Sequence, residues 1–264
     1  DKYFRISKYD KPVKIFPNLL AYHYEAKKTY TKYFCKKCMR LLDVGGGPIK
    51  KNFHNWLKLG IKEVYVIDPS SDYYKRNLET VDEYKSTYSN FNINVIKGVG
   101  EKDWNSGKAG MNNDSRDLLK TMKDKTFGCI TFEFSFHYMI GNMKQLMKNI
   151  ETHTHSGSVV IIYIMDGTFL FNHFQNYNTD KYSVKNNHGE IVFEVSKKYK
   201  SENNNNPNKL KVDVYFKNVA GLNNTISEYL VPNDFIVDHF KKSGFLLTNK
   251  NKLPNIDRQN SRNL

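Results

Sequence analysis

The stretch that most constrains this chain is Leu41 to Trp56, LLDVGGGPIKKNFHNW, an apolar run that ends on an acid and breaks into three consecutive glycines before a helix opens. Only residues without a Cβ let a backbone turn so tightly and come close to a ligand, so Asp43 to Gly47 is a candidate nucleotide-type site. About 20 residues later, EVYVIDPS places a second short apolar strand ending in Asp68, the spacing at which a carboxylate takes ribose hydroxyls. Together they predict an adenosine site. Taken alone, the three glycines predict no more than a tight strand-to-helix connection.

Two phosphate-binding alternatives fall away. A dinucleotide grip wants G-x-G-x-x-G at the helix start, whereas this turn continues as Pro48, Ile49, Lys50 and Lys51 without the third glycine. No G-x-x-x-x-G-K-[ST] occurs anywhere in the chain, which excludes a Walker loop. What remains is an acid and glycine turn of the kind that meets the amino acid end of S-adenosylmethionine in methyltransferases dependent on that cofactor.

With 264 residues and 39% hydrophobic content the chain can bury a sizeable core, and one α/β domain over residues 1–264 is expected. Lys and Arg count 41 against 27 Asp and Glu, a net charge of +14, which suits a polyanionic partner or reflects a basic compositional bias rich in Lys and Asn. Cys35, Cys38 and Cys129 are too few for a disulfide framework and predict a reducing compartment. The C-x-x-C of Cys35 and Cys38 lacks a second ligand pair for zinc and reads as incidental, so no metal is expected. No apolar run of about 18 residues predicts a membrane span. The ends at Asp1 and Leu264 look arbitrary, as in a piece of a longer protein.

In chain order, an irregular lead-in over Asp1 to Asn18 precedes a helix over Leu19 to Phe34. After the glycine turn come a helix at Asn52 to Leu59 closed by Gly60, a strand at Lys62 to Asp68, a helix at Ser71 to Thr87 and a strand at Phe91 to Ile96. A short helix ends near Lys123. Phe127 to Tyr138, FGCITFEFSFHY, is a strand running into a dense aromatic cluster; Asn142 to Ile150 is a helix, and Ser158 to Met165 a β-branched central strand ended by Asp166 and Gly167. This alternation predicts a mainly parallel sheet with helices on both faces. Beyond residue 180, Ile191 to Tyr199 and Leu210 to Phe216 alternate as antiparallel strands joined by SENNNNPN, expected to be mobile, and Asn233 caps a last helix that runs through Lys241 and closes at Gly244.

At Phe127 to Tyr138 a family resemblance enters. FEFSFHY resembles the QFALHY motif of mRNA cap guanine-N7 methyltransferases, matching at Phe134, His137 and Tyr138 and placing Glu133 where that family has Gln. SEYLV at Ser227 to Val231 resembles its PEYLV, and LLDVGGG resembles its VLDLGCGKGGD. Order and spacing cover nearly the whole chain and are most similar to the methyltransferase domain of multifunctional capping enzymes of large cytoplasmic DNA viruses, of the asfarvirus type. The resemblance implies a class I, Rossmann-like fold with an antiparallel hairpin insertion. It also implies S-adenosyl-L-methionine as methyl donor, a capped RNA 5′ end as substrate without DNA sequence specificity, fusion to triphosphatase and guanylyltransferase domains, and a place in the host cytoplasm, viral factory or virion.

Residue by residue, the resemblance implies a cofactor site of Lys27 (or Lys28), Asp43, Gly45, Gly47, Asp68, Val99 and Glu133, and a cap guanine site of Phe134, His137, Tyr138 and Glu228. The family's acid after the glycines is missing, since Lys50, Lys51 and Asn52 occupy that region. Val99 falls where the family has an acid at the adenine. A C-terminal Tyr of the family motif has no match before Leu264.

The chemistry is consistent with these types. Guanine N7 already offers a lone pair and a sulfonium methyl is an activated electrophile, so no base is needed, and holding the reactants in line supplies on the order of 7 to 11 kcal/mol. A carboxylate such as Glu228 matches guanine's adjacent N1–H and N2–H donors, His137 can donate to O6, and Phe134 and Tyr138 can stack. Read without the resemblance, the aromatics and His137 are core residues and Glu228 a solvated charge. Three functions stay open: the cap methyltransferase, a methyltransferase acting on another substrate, and a degenerate methyltransferase fold that binds RNA.

Overall fold

A computed structural model describes residues 17–36, 38–200, 209–217 and 225–248. Most of the expected lead-in, the Asn-rich loop at 201–208 and the polar tail from Asn249 lie outside the described residues. The chain divides into two compact units, one built around Tyr24–Tyr163 and one around Ile164–Leu247.

The first unit is a five-stranded parallel sheet. After helix α1 (Pro17–Cys35) come β1 (Arg40–Val44), α2 (Lys50–Lys58), β2 (Glu63–Asp68), α3 (Ser71–Lys85), β3 (Asn92–Lys97), α4 (Asn113–Thr121), β4 (Cys129–Glu133), α5 (Met143–Thr152) and β5 (Val159–Tyr163). The strand order is β3-β2-β1-β4-β5 with every pairing parallel. The chain winds outward from β1 through β2 to β3, then returns to the other side of β1 with β4. That reversal opens a crevice at the C-terminal ends of β1 and β4, where ligands bind in open α/β sheets.

Apolar spacing explains why the helices dock. In α2, Phe53, Trp56 and Leu57 fall on one helical face, and Phe53 and Trp56 are buried against Leu41, Val64 and Val66 of the sheet. Phe53 stacks on Tyr84 of α3 with ring centroids 4.1 Å apart. Full burial of such side chains contributes about 1.5–3 kcal/mol each. Gly60, at φ +74°, closes α2 in the left-handed conformation, as its sequence position implied.

Two expectations are corrected here. The β-branched run Val159–Tyr163 is not central: β5 is the edge of the five strands, and only Ile161 of its residues is buried. A continuous apolar run reports two covered faces and is silent about neighbours along the hydrogen-bonding direction. The cysteines also differ, because Cys35 forms a disulfide with Cys129, both fully buried with Cα atoms 5.9 Å apart, while Cys38 is free.

The second unit carries α6 (Gly167–Asn176), the antiparallel strands β6 (Lys181–Lys185), β7 (Ile191–Lys197), β8 (Lys211–Phe216) and β9 (Ile226–Tyr229), and α7 (Asn233–Lys242). The strands lie in sequence order, so the expected hairpin is the middle of a four-stranded sheet. Leu170 and Phe174 of α6 pack on Val195, Val212 and Val214. The opposite face is polar: Glu194 takes Lys181 and Ser183, and Asp213 takes Lys198 and Ser227. Asn233 is not the cap of α7, since Pro232 holds that position; the Asn233 amide donates instead to Thr168 Oγ1 at 2.9 Å.

One buried amide holds the loop after β3. Asn149 of α5 donates to the carbonyls of Gly100 and Lys102 and accepts from the Trp104 amide. The Gly100 carbonyl also accepts the Trp104 indole N–H at 2.9 Å, so Asn149→Ala would strand the Lys102 carbonyl and the Trp104 amide, at about 1–3 kcal/mol each. Urea unfolding should show a loss of at least about 2 kcal/mol, whereas a loss under about 0.5 kcal/mol would mean that water replaces the amide.

Candidate active site

The glycine turn is held from both sides. The Asp68 carboxylate, at the end of β2, accepts the Gly47 amide on one oxygen at 3.0 Å and the Ser70 amide on the other at 2.8 Å. Asn77 of α3 accepts the Ile49 amide at 3.0 Å and donates to the Gly47 carbonyl at 2.8 Å. Gly45 and Gly47 have φ of +71° and +57°, which the residues without a Cβ adopt at least cost. A Cβ on Gly46 would lie 2.5 Å from Asp43 Oδ2, and one on Gly45 would overlap the Ser135 side chain. Three glycines are therefore required for three separate reasons of space and conformation.

Asp43 is the unusual member. It is 1% exposed on a strand paired on both sides, and Oδ1 accepts from Thr131 Oγ1 at 2.8 Å, while Oδ2 has no hydrogen-bond partner. Burial, and then the neighbouring Glu133 carboxylate, push its pKa up to about 8 against the pull of Thr131 and Lys27. Burial also raises Asp68 despite its two amide donors.

Lys27 reaches the same strand ends. Its Nζ donates to Glu133 Oε2 at 2.6 Å and stands 5.4 Å from the centre of the Phe134 ring, and Asn52 of α2 approaches the same carboxylate oxygen at 3.4 Å. Lys28 is on the exposed side of α1 beside Glu25, so of the two lysines allowed by spacing it is Lys27 that joins the cluster. Lys27, Asp43, Gly45, Gly47, Asp68 and Glu133 thus meet at the switch point. Val99 lies in the loop after β3, with its amide given to the Ala109 carbonyl and its own carbonyl accepting from Lys102.

After β4 the backbone turns at Phe134, a non-glycine residue at φ +56° whose amide donates to the Tyr163 carbonyl. Ser135 Oγ then bonds the Val44 carbonyl, and Phe136–Tyr138 form a 3-10 turn in which the His137 and Tyr138 rings stand 4.1 Å apart. Glu228 belongs to the second unit. Its register partner on β8 is Val212, so the carboxylate is carried on the apolar face of that sheet, half-buried at an edge strand.

Sequence reasoning missed Asn52, Asn77, Thr131 and Ser135. Neutral polar residues carry no spacing signature; only the departure from the family pattern at Lys50 to Asn52 pointed near one of them. Among the described residues there is no group of three or more His, Cys, Asp or Glu that could hold a metal, and no helix is long and apolar enough to cross a membrane.

A parallel sheet of order β3-β2-β1-β4-β5, with a glycine turn after β1 and acids at its strand ends, has the class I fold of S-adenosylmethionine-dependent methyltransferases. Solved structures with this fold include a putative S-adenosylmethionine-dependent methyltransferase from Listeria monocytogenes (13% identity, TM-score 0.54, 87% of this chain and 84% of that one) and one from Clostridium acetobutylicum ATCC 824 (13%, 0.52, 87% and 83%). The PH0226 protein from Pyrococcus horikoshii OT3 is also similar (16%, 0.52, 94% and 96%). No protein-family model and no curated protein sequence matches the chain.

The state of Asp43 has a testable sign. Its folded pKa of about 8 lies above the unfolded value of 3.8, so between these pH values the folded chain holds a proton that the unfolded chain has lost. Stability falls as pH rises through that window. Asp43→Asn should flatten this slope and raise the melting temperature at pH 8, by about 2–4 °C for each ~1 kcal/mol recovered. An unchanged slope in thermal scans from pH 5 to 9 would show that Asp43 ionises normally.

Proposed function

We propose that the protein transfers a methyl group from S-adenosyl-L-methionine to N7 of the 5′ cap guanine of mRNA. The observation that carries the cofactor half of this reading is the unpartnered, buried Oδ2 of Asp43 above a glycine turn, with a cation and a second acid at the same strand ends. These residues fit the donor set of that molecule. Its ammonium group suits Asp43 Oδ2 and the Gly45 backbone, its carboxylate suits Lys27, and its ribose hydroxyls suit the remaining acceptor positions of Asp68. When bound, the cofactor supplies a methyl group activated on a sulfonium. The chain's part is to hold the acceptor in line and keep water out.

The substrate half rests on the likeness of Phe134, His137, Tyr138 and Glu228 to the cap methyltransferase motifs. Glu228 is carried on the apolar face of its sheet, and a carboxylate there matches the adjacent N1–H and N2–H donors of guanine. An inward-pointing acid on an edge strand also blocks edge-to-edge pairing, the purely structural role for this residue. The +14 charge suits the phosphates of an RNA chain. In the same reading the chain is the methyltransferase part of a longer capping enzyme that works in the cytoplasm, a viral factory or a virion.

Asp68→Ala should weaken S-adenosylmethionine binding more than tenfold by calorimetry, because charge-assisted hydrogen bonds contribute about 1.5–3 kcal/mol each. Glu228→Gln should keep cofactor affinity and melting temperature while lowering methyl transfer to capped RNA at least tenfold, since the amide sets a donor against a donor. Equal turnover of the Glu228 variant and parent on subsaturating capped RNA would remove the residue from the site. Transfer to uncapped RNA as fast as to capped RNA would remove the cap from the reaction.

A further inference from the structure

The end of the first unit's sheet opposite the glycine turn carries a second concavity, one that the proposed methyl transfer does not use. It has a volume of about 460 Å³, within the range of small-molecule sites, and lies where α1 ends and β1, β4 and β5 begin. Its charge is of one sign: Lys36 and Arg40 contribute to the wall together with the ring of His155, and no Asp or Glu does. Tyr33 and Met39 stand at the same place with 48% and 62% of their surfaces exposed.

The surroundings carry both signs. The chain enters each strand from this end, so Lys62 ahead of β2, Lys123 and Asp124 ahead of β4, Lys58 at the end of α2 and Glu151 at the end of α5 are exposed here too. Glu63, the acid nearest Arg40, is already shared among Arg40, Lys125 and the Tyr65 hydroxyl. His155 Nδ1 donates to the Ser156 carbonyl, which puts the proton on that nitrogen and leaves Nε2 to the other side of the ring. The added Cβ of Gly157, at φ +89°, would meet nothing within 4 Å, so this side of the cavity is open.

We propose that this cavity binds a nucleotide unit, with the phosphate on Lys36 and Arg40 and the base against the exposed face of Tyr33. An anion alone would use the cations and leave the tyrosine and methionine wet. A neutral apolar ligand would leave both cations unused. A phosphate joined to an aromatic ring uses both, which is the general grammar of sequence-independent nucleotide binding. The nucleotide can be free or part of an RNA chain; the recognition chemistry is the same. The inference does not depend on the methyl-transfer reading, because every residue it uses lies at the far end of the sheet from the cofactor cluster.

Cys38 lines the same cavity and provides a readout that is not activity. Cys35 and Cys129 are buried and joined to each other, so alkylation of the folded protein reports on Cys38. Burial pushes its thiol up, so the reaction is followed at mildly alkaline pH. GMP, inorganic phosphate and an uncapped RNA oligonucleotide are added separately to the full chain, without methyl donor. Protection of Cys38 of at least threefold by GMP or by the oligonucleotide, exceeding that by phosphate, is expected, and whichever acts at lower nucleotide concentration identifies the source.

The double variant Tyr33→Ala, Lys36→Glu should lose the protection while keeping the parent's circular dichroism and S-adenosylmethionine affinity; Lys58→Glu, outside the cavity wall, should keep it. No protection by either nucleotide ligand would overturn the proposal. So would equal protection by phosphate alone, or protection that survives in the double variant.

Discussion

A carboxylate cannot be buried in a parallel sheet without consequence, and the first unit is arranged around Asp43, the more deeply buried of two with Asp68. Asp43 sits on the strand where the winding direction reverses, flanked by β2 and β4, with one oxygen tied to Thr131 and the other aimed at no donor. Two further acids stand close enough to raise its pKa through their charge, Glu133 more than Asp68. Lys27, from the helix that precedes β1, counters them. The result is an acid whose ionisation is coupled to whatever cation meets it. A cation on Oδ2 would lower its pKa and expel a proton, so affinity and acidity are linked at a single atom.

The same acids also set the shape of the turn. Asp68 holds the Gly47 amide while Asn77 holds the Gly47 carbonyl, so the last glycine is fixed at both ends of its peptide unit by side chains from β2 and α3. Gly46 leaves the space that Asp43 Oδ2 fills. The turn is thus a rigid piece of the sheet with its conformation specified by neighbours, and a ligand meeting it pays little to order it.

Much of this was legible in the chain itself. Alternating apolar strands and amphipathic helices from Leu41 onward report the parallel sheet because crossovers must be long, and strand-end acids after glycines report the switch point. Hydrophobic patterning does not report strand order, which is why Val159–Tyr163 reads as central although it forms an edge. Helix α6 was hidden because Asp166 and Gly167 read as the end of a strand; they are also its beginning, with Asp166 accepting the Phe169 amide at 2.9 Å. The short strand β6 is masked by the polar residues around it. Cys35 and Cys129 are 94 residues apart, and nothing local announces their pairing.

The backbone at Phe134 has a further consequence. A side chain with a Cβ held in the left-handed region costs about 1–2 kcal/mol relative to the relaxed conformation. The residue is pinned there by its amide bond to Tyr163 and by the Ser135 hydroxyl bond to Val44. That cost resides in φ, so it is recovered only if the backbone leaves this turn, and both hydrogen bonds must then break. Turning the Phe134 ring about its side-chain torsions leaves the backbone where it is, so the ring can change rotamer without giving up the turn.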